Sequence, residues 1–299
     1  MPLIFALCII IIIIISSCNK RNDINSTNVI TLKHPAMAAR DTFATDSAII
    51  IAYANVGTLH NQGLDSVYNR LVAFKAQQVN IYGSFKCSKS QIFGICNQGS
   101  MDFVNGQFQL SVANYDTLFN FWSGYLLDFE ENNVAYNPAY ISQHGISISP
   151  ALTNCITDIT TIGENNNLSY ADKCTAWDNY LNSKIDSFSN DAEKAGLVAG
   201  INVAKASYLY WSDPSNVSKW QYLLSDLTQA RITSVNSDAA KADVAGAIGG
   251  GIRGAIGGFA ATGPVGAACG GAVGALTGAL VSSASSICWA QVWSWVGWN

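Results

Sequence analysis

The side chains that most often perform chemistry are few in this 299-residue chain, and they lie far apart. It has three histidines, His34, His60 and His144, and one adjacent acidic pair at Glu130 and Glu131. General acid–base catalysis needs groups that converge on one reacting atom. Adjacent residues of a helix point about 100° apart. The two glutamates therefore predict a solvated helix end rather than a catalytic pair.

His60 is followed five residues later by Asp65, a spacing that does not place two side chains on one helix face. We expect His60 to serve helix packing or capping together with Asn61. The sequence contains no Gly-x-Ser-x-Gly, His-Glu-x-x-His or Walker-type motif. It therefore predicts a protein that is not an enzyme and uses no cofactor.

The N-terminus carries an apolar run over residues 3–15 that ends in two serines and Cys18. The run is too short to cross a bilayer and suits the hydrophobic part of a secretory signal. Small residues directly before a cysteine resemble the lipobox of bacterial lipoproteins, here in the Ser-Ser-Cys-Asn-Lys form common in Bacteroidota. The resemblance implies cleavage before Cys18 and lipidation of that residue. Because no Lys or Arg precedes the run, an uncleaved anchor with Lys20 and Arg21 in the cytoplasm is the alternative.

Six of the eight cysteines follow Cys18. An even number of cysteines in an exported protein is typical of disulfide bonds, and pairing between sequence neighbours is the simplest arrangement. Metal binding would need close Cys-x-x-Cys pairs or histidines at short spacing, so we expect no metal site. The disulfide candidates are Cys87, Cys96, Cys155, Cys174, Cys269 and Cys288; pairing of the last two would require the final helix to bend back.

Composition excludes two classes of protein. Only 12% of the residues are charged, the formal net charge is −4, and 49% of the residues are hydrophobic. A nucleic-acid binder would show a basic stripe, and a disordered chain would hold fewer apolar residues.

Apolar residues recur every three or four positions over much of residues 41–235, which predicts amphipathic helices. Two stretches lack this period. Residues 79–106 are rich in glycine and predict an irregular disulfide loop, with short strands at 103–104 and 108–110. Residues 134–168 predict a long connection. The fold class is therefore mainly α.

Two short segments resemble stretches of Bacteroidota proteins. Residues 57–65 read Gly-Thr-Leu-His-Asn-Gln-Gly-Leu-Asp, and residues 206–211 read Ala-Ser-Tyr-Leu-Tyr-Trp. The resemblance covers only these segments and implies no activity.

Glycine is concentrated near the C-terminus, where two runs space it four residues apart on either side of Pro264. Residues four apart share a helix face, so each run predicts a groove without side chains. Glycine weakens a helix by about 1 kcal/mol relative to alanine, and close approach of two backbones offsets this cost. The helix-packing residues are Gly246, Gly250, Gly254, Gly258, Gly266, Gly270, Gly274 and Gly278.

The two runs predict an antiparallel, glycine-rich helical hairpin. It resembles the glycine-zipper hairpin of bacterial outer-membrane lipoproteins of the rickettsial surface-antigen type, which also pair a lipobox with such a hairpin. Those smaller proteins lack the helical domain that lies between the two features here.

The sequence leaves open whether the hairpin enters a membrane. No charged residue occurs from Gly254 to Asn299, and tryptophans cluster at the end of the chain as in an interfacial belt. Arg253 opposes insertion, because a charge in the middle of a span costs about 2.5–3.5 kcal/mol. The alternative is a hairpin buried within the helical domain.

Four segments follow from these patterns. They are a lipoprotein signal over residues 1–17, a polar tether over 18–40, a helical domain with a disulfide loop over 41–235, and a hairpin with a tryptophan-rich tail over 236–299. The resemblances imply a non-enzymatic cell-envelope lipoprotein, lipid-anchored at the outer membrane. Its expected partners are the lipid bilayer and a second copy bound through the zipper, with no nucleic acid. A secreted membrane-active protein, bacteriocin-like or pore-forming, is the alternative.

Overall fold

The computed structural model describes residues 46–85, 87–132, 149–224, 235–262, 270–284 and 286. These residues are mainly helical and contain no strand, so the predicted fold class is confirmed. Residues 270–284 are also helical and are called the 270–284 segment. The helices are α1 (Asp46–Tyr53), α2 (Val56–Tyr82), α3 (Lys89–Phe108), α4 (Val112–Asn132), α5 (Pro150–Glu164), α6 (Tyr170–Lys184), α7 (Asp191–Ser212), α8 (Pro214–Leu224) and α9 (Val235–Thr262), with a 3-10 turn at Ile185–Ser187.

Local sequence sets several helix starts. Before α3, the Ser88 side chain accepts a hydrogen bond from the Gln91 backbone, and the Gln91 side chain accepts one from the Ser88 backbone. Ser169 and Asp172 form the same reciprocal box before α6. Such boxes satisfy backbone N–H groups that the first helical turn leaves without partners.

Helix α7 lies at the centre of the fold and packs against α1, α2, α5, α6, α8 and α9. Every residue from 195 to 201 in this helix is buried. A helix that is apolar on all sides is expected where neighbours surround it. Four fully buried tryptophans add volume to the surrounding core, and these are Trp122, Trp177, Trp211 and Trp220.

The predicted irregular loop over residues 79–106 is wrong, because α3 covers most of it. The strands predicted at 103–104 and 108–110 are also absent: the first lies within α3 and the second at its C-terminal end. Glycine and buried polar residues obscured the helical period. Gly94 and Gly106 face open space. The buried face of α3 consists of Ile92, Phe93, Cys96, Asn97, Gly99, Ser100, Met101 and Val104.

The long connection predicted for residues 134–168 also contains a helix, α5. Ser149 caps its first turn by accepting a hydrogen bond from the Leu152 backbone, and Pro150 occupies the first turn itself. Proline at that position favours a helix start rather than a break. Residues 133–148 lie outside the described residues.

Two helices end in left-handed residues. Gly83 ends α2 with φ 70°, and Gln109 ends α3 with φ 50° and ψ 58°. Glycine adopts this conformation without a steric clash, whereas the Cβ atom of glutamine makes it less favourable in free energy.

We expect Gln109→Gly to stabilise the fold by about 0.5–1 kcal/mol, because it removes the Cβ penalty at a left-handed position. Urea unfolding followed by circular dichroism measures the effect. Gly83→Gln is the matched reverse substitution and should destabilise by a similar amount. A loss of stability in Gln109→Gly would contradict the assignment of strain to this residue.

Candidate functional site

Helix α9 and the 270–284 segment meet through glycine. A Cβ atom added to the α9 member of each facing pair would overlap the backbone carbonyl of its partner. Residue numbers rise along one helix as they fall along the other, so the two helices run antiparallel. The facing pairs are Gly246 with Gly278, Gly250 with Gly274, and Gly254 with Gly270.

The other two predicted zipper glycines make no described contact. Gly258 lies within the bounds of α9. Gly266 and the rest of residues 263–269, where the hairpin turn was predicted, lie outside the described residues. The predicted four-residue spacing therefore corresponds to backbone contact at six of the eight glycines.

A second row of small residues on α7 was missed by the sequence reasoning. Gly196 and Gly200 receive isoleucine side chains from the opposite face of α9. A Cβ at Gly200 would lie 2.5 Å from a carbon of Ile248, and one at Gly196 would lie 2.9 Å from a carbon of Ile252. The same four-residue spacing as in the zipper signals this row, which consists of Ala192, Gly196, Gly200 and Ala204.

The 270–284 segment is enclosed on its remaining sides, and residues 271–284 are all buried. Gly271 lies against the Tyr53 hydroxyl of α1, and Gly278 lies against the Trp122 ring of α4. Leu280 fills the space above Gly63 of α2. The described zipper thus packs inside the helical domain. None of the described helices has both the length and the apolar character needed to cross a membrane.

Arg253, which the sequence places in the first zipper run, contacts an aromatic ring. Its guanidinium carbon lies 3.6 Å from the centroid of the Phe121 ring on α4. A cation over a ring face is attracted by the electrons of that face, which stabilises a half-buried charge.

Residues 57–65 and residues 206–211 pack against each other. Gly57 of α2 lies against the α7 backbone. The Asn61 amide donates to the Ala206 carbonyl at 3.0 Å, and the Tyr210 hydroxyl donates to the Asp65 carboxylate at 2.8 Å. The residue numbers of the contacting pairs rise along both helices, so α2 and α7 run parallel here.

A buried polar cluster joins these two helices to α9. Nε2 of His60 lies 3.4 Å from Oδ1 of Asp243. The other carboxylate oxygen of Asp243 accepts hydrogen bonds from the Ser207 hydroxyl and, at 3.2 Å, from Nε1 of Trp211. The exposed fraction is 0% for His60, Ser207 and Asp243, so the cluster is closed to solvent.

The order of these groups differs from that of a nucleophilic triad. In a triad the histidine lies between the hydroxyl and the carboxylate and removes the hydroxyl proton. Here Asp243 lies between Ser207 and His60, so the histidine does not contact the hydroxyl. Nδ1 of His60 lies 3.1 Å from Oδ1 of Asn61, which agrees with the predicted packing pair. The cluster therefore binds helices together.

Of the disulfide candidates, Cys87 and Cys96 are not joined to each other in the structure. Cys87 precedes α3, whereas Cys96 lies two turns inside it and is buried. Two turns advance about 11 Å along the helix axis, but a disulfide needs Cα atoms within about 7 Å. The loop on which this pairing was predicted is a helix instead.

The predicted pairing of Cys155 with Cys174 is also absent. Lys173, next to Cys174, donates a hydrogen bond to the Gly163 carbonyl, whereas Cys155 contacts Tyr180. The antiparallel packing of α5 and α6 therefore holds the two thiols about two turns apart. Burial raises the pKa of the Cys155 thiol, which disfavours the reactive thiolate.

The remaining cysteine predictions fall on residues that the structure does not describe, namely Cys18, Cys269 and Cys288.

Glu130 and Glu131 lie in the last turn of α4. Within the described ranges, no three His, Cys, Asp or Glu side chains cluster as metal ligands would.

A cleft of about 450 Å³ opens where α5 ends, α6 begins and α7 ends. It is named the α5–α7 cleft and combines three aromatic rings with an acid, a base and two neutral polar side chains. Its lining residues are Gly163, Glu164, Asn166, Tyr170, Lys173, Tyr208, Trp211 and Ser212.

Hydrogen bonds hold the aromatic walls of this cleft in place. The Tyr208 hydroxyl donates to the Thr160 carbonyl at 3.3 Å, and its ring fills the space beside Gly163. The Tyr170 hydroxyl donates to a backbone carbonyl of α7 at 2.8 Å. Burial, with the negative charges of Glu164 and Asp243, raises the pKa of Tyr208. This hydroxyl therefore remains a neutral hydrogen-bond donor.

No protein-family model, no curated protein and no solved structure matches the chain.

We expect Gly250→Ala to destabilise the fold by about 2–4 kcal/mol, because the new methyl group would overlap the Gly274 carbonyl and push the helices apart. Urea unfolding measures the loss. Gly94→Ala is the matched control, since Gly94 lies in a helix with nothing near its added methyl. It should stabilise by about 0.5–1 kcal/mol. Equal stability of the two variants would refute the backbone contact.

Asp243→Ala should cost about 3 kcal/mol, because it leaves the Ser207 hydroxyl and the Trp211 N–H buried without an acceptor. Asp243→Asn keeps one acceptor oxygen and should cost less. Asp178→Ala removes an exposed pair with Lys205 and should cost about 0–1 kcal/mol. Thermal unfolding compares the three variants. The cluster has no structural role if Asp243→Ala behaves like Asp178→Ala.

Proposed function

We propose that the protein is a non-enzymatic lipoprotein of the cell envelope, anchored to the outer membrane through lipid on Cys18. Its helical domain uses the glycine zipper as an internal packing element. The lipid anchor rests on the lipobox resemblance at Cys18, and the observation that carries the packing role is the use of both zipper faces within the chain. The glycine face of α9 meets the 270–284 segment, and the isoleucine face meets α7.

The antiparallel order of the facing glycines supports the predicted hairpin for α9 and the 270–284 segment. Because each glycine face already contacts the other, self-association through the zipper would require the two helices to separate. We therefore assign membrane attachment to the Cys18 lipid rather than to the hairpin.

A membrane-active function is the second candidate, and the absence of charge from Gly254 to Asn299 favours it. Insertion of the zipper would have to remove Leu280 from Gly63 and Arg253 from the Phe121 ring. The buried cluster around Asp243 would also have to open. These contacts favour the packing role over insertion.

Metabolic labelling with a palmitate analogue tests the lipid anchor. We expect label on the wild-type protein and on Cys8→Ala, which alters a cysteine inside the signal, and none on Cys18→Ala. Label on Cys18→Ala, or none on the wild type, would refute lipidation of Cys18.

Alkaline carbonate extraction tests the role of the zipper. The variant for this test replaces residues 1–18 with a secretory signal that is cleaved and carries no cysteine. We expect it in the soluble fraction, with the wild-type protein in the membrane pellet. If the variant remains in the pellet as a folded protein, the hairpin attaches to the membrane and the packing proposal fails.

A further inference from the structure

The charges around the α5–α7 cleft are balanced. The Glu164 carboxylate pairs with Lys241 at 2.7 Å. The Lys173 ammonium donates to the Gly163 carbonyl at 2.6 Å and lies 6.0 Å from the centroid of the Tyr208 ring. The lining thus holds one acid and one base, each with a partner. A neutral ligand can use these groups as hydrogen-bond partners without disturbing a net charge.

Charged ligands fit the cleft less well. Both α5 and α7 end there, and helix C-termini carry partial negative charge that repels anions. The N-terminus of α6, which would attract an anion, is already capped by Ser169 and Asp172. An organic cation would seek the carbonyls and the aromatic face, but Lys173 already occupies the Gly163 carbonyl and approaches the Tyr208 ring. The cleft therefore disfavours both anionic and cationic ligands.

The accessible surface that remains is the ring of Tyr170 beside neutral polar groups, since Trp211 is buried and Lys173 approaches the Tyr208 ring. Tyr170 has 38% of its surface exposed at the start of α6. Asn166 and Ser212 are exposed on the lining and present an amide and a hydroxyl. The Ser212 hydroxyl donates to the Leu209 carbonyl, which leaves its oxygen able to accept a hydrogen bond.

We propose that the α5–α7 cleft binds a neutral saccharide. A pyranose ring has an apolar C–H face, which packs on a tyrosine ring, and a rim of hydroxyls that both donate and accept hydrogen bonds. The hydroxyls find acceptors in Glu164 and Ser212 and donors in Lys173 and Asn166. A volume of about 450 Å³ lies within the range of small-molecule sites. This activity goes beyond the proposed anchoring role and does not depend on it.

Isothermal titration calorimetry of the full-length protein tests the proposal in a detergent without a sugar headgroup. The probes are neutral hexasaccharides of α-1,4-glucose, β-1,4-glucose, β-1,4-N-acetylglucosamine and α-1,6-mannose. We expect at least one to bind with a Kd below 1 mM. Tyr170→Ala should weaken that binding at least tenfold, and Asn166→Ala about threefold. Tyr170→Phe should bind within threefold of the wild type, because it keeps the ring.

Tyr222→Ala is the matched control, since Tyr222 is an exposed tyrosine on α8 outside the cleft. It should bind as the wild type does. Circular dichroism verifies that each variant is folded. The proposal is overturned if no hexasaccharide binds with a Kd below 1 mM, or if Tyr170→Ala loses no more affinity than Tyr222→Ala. None of these results would bear on lipidation of Cys18 or on the packing of the zipper.

Discussion

Direct contact between the backbones of α9 and the 270–284 segment is the constraint on which the rest of the fold depends. At the facing glycines there is no room for even a methyl group, so neither helix can carry a side chain there. Each glycine weakens its helix by about 1 kcal/mol relative to alanine. Such helices persist only where neighbours surround them, and all residues from 271 to 284 are buried. The other helices therefore supply the largest buried side chains of the core.

Helix α9 is located by three different kinds of contact. Its glycines contact the 270–284 segment, and its isoleucines pack against Gly196 and Gly200 of α7. Its Asp243 contacts His60 of α2 and Ser207 of α7. Glycine contacts alone leave a helix free to slide by one turn, because they repeat every four residues. A buried carboxylate with specific donors does not repeat. The polar cluster therefore fixes the register of α9 against α2 and α7, which the glycine contacts by themselves leave ambiguous.

The sequence predicted the parts of the fold whose signal is periodic and uninterrupted. The zipper spacing identified the face of α9 that meets the 270–284 segment, because few uses other than close packing favour glycine every four residues. Helix α3 was missed because Asn97 and Ser100 are buried while Gly94 faces open space, so polarity did not follow burial. The clusters around Asp243 and in the α5–α7 cleft join residues distant in sequence, and neither has a local pattern.

Burial of the zipper inside the protein explains the stretch without charged residues in this chain. A stretch without charged residues is needed in a bilayer, but it is equally needed at the centre of a protein, where an unpaired charge is costly. The contacts of Gly271 with Tyr53 and of Leu280 with Gly63 are side-chain contacts to the protein's own outer helices. A lipid-facing hairpin would have no use for these contacts. Under the proposed function, a lipid on Cys18 makes membrane insertion of the hairpin unnecessary, and the glycines serve only the fold.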